Sequence, residues 1–294
     1  MPITPTPLHV LSHPYTHLEP VTRGVADLRL RGRSAGSALV WAMDSHRLED
    51  SSALVERRPG GMALIVVLPP NDDVAGDVRL LYAVQRARPH GILPYHPGPS
   101  PQELAHVLRR PPTELGTEVV EYLRWRGLAP DRETLRAVRR IIDLSANLRS
   151  VSAVARSMYV SRRALGRRFL TRGLPVPSHW LHAGRLLRVA VRLQNTDATV
   201  ASVAFEHGYS DGFAVSNQME RLLGYRPTVV RQRFGWEWIF EAWLRREADA
   251  GGLSPAFGRL VQAAGGLQPA VPGSLMSPSG PREGRARGTV HSVR

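Results

Sequence analysis

The chain of 294 residues contains no cysteine and no lysine. Without cysteine it can form no disulfide, no zinc site of the finger type and no thiol nucleophile. Its apolar residues, 43% of the total, never form a run long enough to cross a bilayer. The opening MPITPTPLHVLSHPYTH lacks the basic start and apolar stretch of a secretory signal. We therefore expect a cytoplasmic protein that has no membrane contact and holds no metal or other cofactor.

Positive charge is concentrated in one part of the chain. All 39 basic residues are arginine, and the formal net charge is +14. Residues 131–235 hold 18 Arg against 7 Asp and Glu, whereas residues 1–130 hold 14 against 13. Such a basic block is typical of nucleic-acid-binding proteins, because each neutralised phosphate releases condensed counterions. Charge alone leaves open the alternative of a solvated face in an arginine-rich chain.

Three short apolar runs in the N-terminal part are each followed by a helical pattern, which predicts βα units on a parallel sheet. The predicted strands are 37–43, 62–68 and 91–95, and the predicted helices are 50–58, 77–87 and 100–110. Ser100 is expected to cap the third helix, with Glu103 completing a capping box. The fold class expected here is α/β.

After Pro130 the apolar residues recur with the 3.6-residue period of helices, so an all-α domain should follow. Leu135, Val138, Ile141 and Ile142 share one face of its first helix. We predict six segments in all. An N-terminal segment, 1–36, is partly disordered or supplies the first elements of the α/β domain, which covers 37–110. A linker, 111–130, has a helix around Val119, Val120 and Leu123, and the all-α domain covers 131–235. An extra aromatic helix, 236–250, is followed by a disordered tail, 251–294, rich in Gly, Pro and Ser.

The all-α block contains an internal repeat with an offset of 49 residues. The matching pairs are Ala155 with Ala204, Val160 with Tyr209, and Ser161 with Ser210. Each copy has a small alanine in a first helix, then a turn, then a serine that should cap a second helix. Two helices that cross closely at an alanine, with one face of the second left free, make a helix-turn-helix unit.

The second helix of each unit is the candidate DNA reader. In the first unit Leu165 and Phe169 should point inward, and the free side carries Ser161, Arg162, Arg163, Gly166 and Arg167. In the second unit Val215, Met219 and Leu223 should be buried, and the free side carries Ser210, Phe213, Ser216, Asn217 and Glu220. Arginine can bind guanine or phosphate, asparagine suits adenine, and phenylalanine suits a thymine methyl. The alternative is that these are solvated positions of a plain helical bundle.

Residues 131–235 resemble the DNA-binding domain of the AraC/XylS family of bacterial transcription regulators. The likeness is carried by TVASVAFEHGYSDGFAVSNQMERLLGYRPTVVRQRFG, at Ala204, Gly208, Tyr209, Ser210, Ser216, Gly224 and Pro227. The resemblance implies two helix-turn-helix units joined by a long helix, here about Pro177 to Gln194, that read two successive major grooves of double-stranded DNA. Those grooves lie about one helical turn, ~34 Å, apart.

Three features depart from the family pattern. Tyr159 stands where a turn glycine is usual, so the first unit must tolerate a left-handed turn. Asn217 replaces a common basic residue and Glu220 adds an acid, which should make the second unit the weaker phosphate binder. The aromatic residues Trp236, Trp238, Phe240 and Trp243 extend past the family's usual end. Their spacing is typical of core or of a subunit interface.

The N-terminal domain resembles the second half of a response-regulator receiver of the flavodoxin type. LIVVLPPNDDVAGDVRLLYAVQRARPHGILPYHPGPSPQELAHVL is similar to its last two strands and helices, and ALVWAMD to the strand before the phosphoacceptor, which places Asp44 near that position. No acidic pair precedes this strand to hold magnesium, and Leu93 or Pro94 replaces the expected lysine. We expect a degenerate domain that acts without phosphorylation, in dimerisation or partner contact.

No nucleophile elbow, phosphate loop or paired metal ligands occur, so we expect no enzymatic activity. The favoured function is a sequence-specific transcription regulator. A nonspecific architectural DNA-binding protein and a protein-interaction adaptor are the alternatives. Homodimerisation, through the N-terminal domain or the aromatic helix, and contact with RNA polymerase are the protein partnerships we consider.

Overall fold

The computed structural model describes residues 7–43, 48–69, 78–94 and 98–263. Its N-terminal part contains a five-stranded sheet with the strand order β2-β1-β3-β4-β5. The strands are β1 Leu8–Leu11, β2 Leu18–Pro20, β3 Ala38–Ala42, β4 Ala63–Val67 and β5 Gly91–Leu93. β3, β4 and β5 are parallel, whereas β1 runs antiparallel to both β2 and β3. The three strands predicted from apolar runs are thus confirmed.

Helices cover both faces of the sheet, which explains why its strands are continuous apolar runs. Leu39 and Trp41 of β3 face α1 Val25–Arg31, α2 Leu48–Glu56 and α3 Val78–Ala87, and Val40 faces α4 Pro101–Arg109. The predicted capping box at the start of α4 is present: Ser100 accepts a hydrogen bond from the Glu103 amide, and the Glu103 carboxylate accepts one from the Ser100 amide. The α/β class is therefore confirmed.

The receiver-like interpretation of this domain stays a prediction. β1 and β2 form an antiparallel pair, whereas the flavodoxin-like sheet is built from parallel strands in the order 2-1-3-4-5. The antiparallel pairing has a simple cause, since only six residues separate β1 from β2 and so short a connection cannot make a parallel crossover. Asp44 lies outside the described residues.

The remaining helices form the all-α part. They are α5 Leu115–Trp125, α6 Arg132–Leu144, α7 Val151–Ser157, α8 Arg162–Thr171, α9 Pro177–Asn195, α10 Val200–Glu206, α11 Gly212–Leu223, α12 Pro227–Gln232, α13 Glu237–Asp249 and α14 Pro255–Ala263. One continuous apolar core joins them. Within the described ranges, no helix combines the length and the apolar character needed to cross a bilayer.

Helix α13, the predicted aromatic helix, lies at the centre of this core. Trp236, Trp238, Phe240 and Trp243 are at most 3% exposed. Trp243 packs edge-on against Trp180 of α9, with ring centroids 4.7 Å apart. The core interpretation is thus confirmed for these rings, and homodimerisation through the aromatic helix stays a prediction.

The prediction that the chain is disordered from residue 251 was wrong for α14. This helix is amphipathic and packs on α13, with Leu253 and Val261 buried in the helical core. The Arg126 guanidinium donates to the Leu260 carbonyl at 3.1 Å and holds the helix from the other side. The helical pattern of apolar residues is only nine residues long, and the glycines and serines near it made the segment resemble a disordered tail.

Buried charges connect α13 to the sheet domain. His90 Nδ1 lies 2.8 Å from Glu237 Oε1, and His90 Nε2 lies 3.2 Å from the Val107 carbonyl. Because a carboxylate and a carbonyl both accept, this geometry requires a proton on each ring nitrogen. Burial by itself would lower the pKa of His90, but the charge and hydrogen bond of Glu237 outweigh it and raise that pKa above its ordinary value. The pair is an ion pair across the junction.

Candidate nucleic-acid interface

The first helix-turn-helix unit consists of α7 and α8. Ser150 caps α7 by accepting from the Ala153 amide at 3.2 Å, and Ser161 caps α8 by accepting from the Ala164 amide at 3.0 Å. Ala155 is 1% exposed where the two helices cross. The sequence prediction of this unit, including the serine cap, is confirmed.

The second unit, α10 and α11, repeats the arrangement with one difference. Thr199 caps α10 by accepting from the Ser202 amide at 3.1 Å. The cap of α11 is Asp211, which accepts from the Ala214 amide at 2.7 Å, while the Ser210 hydroxyl donates to Asp211 at 3.1 Å. The prediction that Ser210 caps this helix was wrong by one residue, because a carboxylate in the next position accepts the same bond more strongly.

Both units use the same turn, and it requires a left-handed residue. The amides of Tyr159 and Val160 donate to the carbonyls of Arg156 and Ala155, and Gly208 and Tyr209 make the matching pair of bonds 49 residues later. Tyr159 has a φ of 56° and Gly208 a φ of 70°. The expectation that Tyr159 adopts a left-handed turn is confirmed. Its side chain is 97% exposed, so no packing contact of the ring offsets the strain of the left-handed backbone.

We expect Tyr159→Gly to raise the free energy of unfolding by about 0.5–1 kcal/mol. A left-handed residue with a Cβ costs about 1–2 kcal/mol, of which the greater freedom of unfolded glycine offsets about 0.5–1 kcal/mol. Thermal unfolding followed by circular dichroism measures the gain. Tyr159→Ala is the control, because it removes the same exposed ring and keeps the Cβ. If the alanine variant gains as much as the glycine variant, the turn stores no strain.

The predicted readers on α8 lie on its outer side. Arg162, Arg163 and Arg167 are exposed, while Leu165 and Phe169 are 2% and 0% exposed. No salt bridge engages the three guanidinium groups within the described part of the chain. A Cβ built on Gly166 would meet no atom within 4 Å, so packing inside the protein does not require a glycine there. The outer side of α8 is therefore cationic, unpaired and open.

The outer side of α11 has a different chemistry. Phe213 is 81% exposed and Asn217 is also exposed, above a buried stripe of Val215, Met219 and Leu223. Ser216 is half-buried and donates its hydroxyl to the Gly212 carbonyl at 2.8 Å. A DNA base could therefore donate a hydrogen bond to the Ser216 hydroxyl oxygen but could not accept one from it. Aromatic and amide groups replace the arginines of α8.

Two further arginines of the first unit were not singled out from the sequence. Arg156 of α7 is exposed and Arg168 of α8 is half-exposed, and neither has a salt bridge among the described residues. A signal for them existed: residues 144–196 contain ten arginines and no Asp or Glu. Without an acid within one helical turn, an exposed arginine on a helix finds no intrahelical partner.

Helix α9 fixes the two units relative to each other. At one end, Trp180 packs against Phe169 of α8, with ring centroids 6.3 Å apart, and donates to the Pro175 carbonyl at 3.0 Å. Further along, Arg185 donates to the carbonyls of His207 and Gly208 at 3.1 and 3.0 Å, at the turn of the second unit. One helix therefore contacts the second helix of the first unit and the turn of the second unit.

Residues 154–233, from α7 to the end of α12, match the family model described as a helix-turn-helix domain. Residues 154–233 thus carry the helix-turn-helix domain that the resemblance to the AraC/XylS family predicts. A domain of this type is the DNA-binding part of a transcription regulator, in agreement with the resemblance read from the sequence. No curated protein matches the chain. A solved structure of a xylose-binding transcription activator, xylR, aligns with 14% identity and a TM-score of 0.33. The alignment covers 65% of this chain and 58% of that one.

Proposed function

We propose that this chain is a sequence-specific transcription regulator that places α8 and α11 in two successive major grooves on one face of double-stranded DNA. The observation that carries this proposal is the linker helix α9, which contacts both units, while Arg167 of α8 and Asn217 of α11 stay exposed. Two recognition helices held about 34 Å apart would meet two consecutive grooves.

The two units would contribute differently to DNA binding. Arg162, Arg163 and Arg167 can neutralise phosphates or bind guanine, so α8 should supply most of the salt-dependent affinity. Asp211 places a negative charge at the start of α11, where it repels phosphate. Asn217 and Phe213 match adenine and a thymine methyl, so α11 should contribute preference for sequence more than affinity.

The sharpest test compares Arg167→Ala with Asn217→Ala on a library of sites at two salt concentrations. If Arg167 pairs with guanine, its removal should cost roughly 1–3 kcal/mol and relax one base position. If it holds a phosphate, affinity should fall on all sequences and the salt slope should decrease by about one. Asn217→Ala should alter preference in the second half of the site only.

Leu165→Ala is the control for this comparison, because truncating a buried leucine costs about 2–5 kcal/mol of stability and damages both readouts together. Should Arg167→Ala and Asn217→Ala both bind every sequence as the parent does, the helical block does not read DNA as proposed. Footprinting on the gene's own upstream region separates the alternatives. A short protected site supports a regulator, uniform coverage an architectural protein, and no protection an adaptor.

Gly166→Ala should separate stability from binding. Because glycine inside a helix costs about 0.5–1 kcal/mol relative to alanine and the added Cβ meets no protein atom within 4 Å, the variant should unfold at a higher temperature. If DNA approaches α8 closely, the same methyl should weaken DNA binding. Ala164→Gly, at an exposed position of the same helix, is the reverse control for stability. A variant that is stabilised and binds DNA unchanged would show that the backbone at residue 166 does not approach the DNA.

For the N-terminal domain we propose a receiver-like module that acts without phosphorylation, in homodimerisation or in contact with a partner such as RNA polymerase. The support is the set of three parallel strands, β3 to β5, with helices on both faces. Size-exclusion chromatography with light scattering tests the homodimer. A monomer at all concentrations would leave partner contact as the domain's role.

A further inference from the structure

The turn of the second helix-turn-helix unit is held by two arginines that lie outside that unit. The first is Arg185, in the middle of α9, which donates to the carbonyls of His207 and Gly208 at 3.1 and 3.0 Å. Its guanidinium also lies over the Tyr209 ring, 4.3 Å from the ring centroid. Three consecutive residues of the turn are therefore tied to the helix that links the two units.

The second arginine, Arg149, reaches the same turn from the start of the first unit. It directly precedes Ser150, the cap of α7, and donates to the carbonyls of Ser145 and Ala146 at 3.2 Å each. A Cβ built on Gly208 would lie 2.5 Å from both Nε and Nη2 of Arg149. The guanidinium thus occupies the space that a side chain at position 208 would take, and the two units touch each other directly.

This contact accounts for the different residues at the two left-handed turn positions. In the first unit the Tyr159 side chain is almost fully exposed, so a side chain has room there. In the second unit any side chain at Gly208 would displace the Arg149 guanidinium. The glycine therefore serves the contact between the units as well as its own backbone conformation.

The two arginines constrain the second unit more sharply than its apolar contacts do. Val203 and Ala204 of α10 lie in the continuous helical core, but apolar burial is non-directional and depends mainly on the area covered. Hydrogen bonds weaken steeply when their angle changes. Because Arg185 binds two successive carbonyls, a rotation of α10 or a slide along α9 would break at least one of these bonds. The position of α11 relative to α8 therefore depends on the arginines.

We propose that Arg149 and Arg185 set the number of base pairs between the two half-sites that α8 and α11 read. This inference rests on the proposed function. One base pair added between the half-sites moves the second by ~3.4 Å along the DNA axis and turns it by roughly 35°. A unit held at its turn cannot follow that displacement, whereas a unit held by apolar contacts alone can tilt toward it. The two arginines are positioning residues and need not touch DNA.

The test uses the full-length protein and the site recovered from the library of the Arg167→Ala comparison, with one base pair inserted or deleted between its halves. The parent should bind the original spacing at least about tenfold more tightly than either altered spacing, because a misplaced unit loses base contacts. The double variant with Arg149→Met and Arg185→Met keeps the apolar stems and loses the donors, so this ratio should fall to about threefold or less. Base preference within each half should stay unchanged.

Arg188→Met is the matched control for the double variant. Arg188 is also on α9 and also donates to two carbonyls, those of Ile142 and Asp143 at 3.1 and 3.4 Å, but these belong to α6 and not to the second unit. Its replacement should lower thermal stability and keep the parent's spacing ratio. A purely structural role of the arginines would move stability in all variants and the spacing ratio in none.

Circular dichroism establishes that each variant is folded at the assay temperature, and Arg185→Met alone takes the place of the double variant if the latter is unfolded. The proposal is overturned if the parent binds all three spacings equally, if the arginine variant keeps the parent's ratio, or if Arg188→Met loses it. Each of these results leaves the reading of DNA intact. A library that yields no two-part site overturns the proposed function and, with it, this inference.

Discussion

Glu241→Ala should lower the free energy of unfolding by about 3–5 kcal/mol, because it removes one partner of a buried ion pair. Glu241 is 0% exposed and accepts hydrogen bonds from Tyr122 at 2.6 Å and from Arg126 at 2.8 and 3.1 Å. Without it, the Arg126 side chain, only 9% exposed, keeps its charge with no carboxylate beside it. Denaturation in urea measures the loss.

Glu121→Ala is the matched control for this substitution. Glu121 is also a glutamate paired with an arginine, Arg124, at 2.6 Å, but both side chains are 49% exposed. An exposed pair contributes about 0–1 kcal/mol. If the two alanine variants lose the same small amount of stability, the Glu241 network does not hold α13 against α5.

The same network predicts how stability depends on pH. Burial by itself would raise the pKa of Glu241, but Arg126 outweighs it and holds the pKa below the ordinary value. The stabilisation is therefore present above the pKa of an unfolded glutamate, about 4.3, and is lost as the pH falls through the lower folded value. The contribution of His90 to stability depends on pH in the opposite direction. Its raised pKa gives a contribution that is full below about 6.5 and is lost as the pH rises through the folded value.

Local patterns were sufficient to predict most individual elements. Apolar runs gave β3, β4 and β5, and helical periodicity gave the buried faces of α6, α8 and α11. The capping box of Ser100 and the left-handed turn at Tyr159 were also predictable, because each depends on residues no more than a few positions apart. For the candidate site, the sequence placed Arg167 and Asn217 on outward faces, where the structure has them. Their contact with DNA stays a prediction.

Features that depend on distant contacts could not be predicted. The aromatic spacing of α13 fits a core as well as an interface, and the choice depends on α5, α9 and the sheet domain closing around it. Glu237 meets His90 across 147 residues of sequence, and no local pattern marks either residue as half of a pair. The cap of α11 was misassigned for another reason: Ser210 and Asp211 are adjacent and both can cap, and the carboxylate of Asp211 takes the position.

The sheet domain and the DNA-binding domain are joined by direct contacts at the end of the DNA-binding domain. Phe234 stacks on Tyr15, Arg233 donates to the Ala35 carbonyl at 3.0 Å, and Glu237 pairs with His90. The segment that follows α12, at the end of the DNA-binding domain, is therefore the segment that contacts the sheet domain. We therefore expect a change in how the sheet domain is packed to act on the end of the DNA-binding domain.

Trp180→Ala should destabilise the chain by about 3–5 kcal/mol and also weaken DNA binding. The ring is 0% exposed and lies between Phe169 of α8 and Trp243 of α13, with ring centroids 6.3 and 4.7 Å away. Truncating a buried tryptophan costs about this much through lost burial and the cavity it leaves. Since Phe169 is the inner anchor of the recognition helix, its arginines should lose their fixed position relative to α11.

Trp180→Phe separates the two consequences of that change. It keeps an aromatic ring against Phe169 and removes the N–H that donates to the buried Pro175 carbonyl at 3.0 Å, so it should cost about 1–3 kcal/mol. Measured by urea denaturation and by DNA affinity at a temperature where both variants are folded, the alanine variant should lose affinity and the phenylalanine variant should retain most of it. If both variants bind DNA as the parent does, the position of α8 does not depend on its packing against α9.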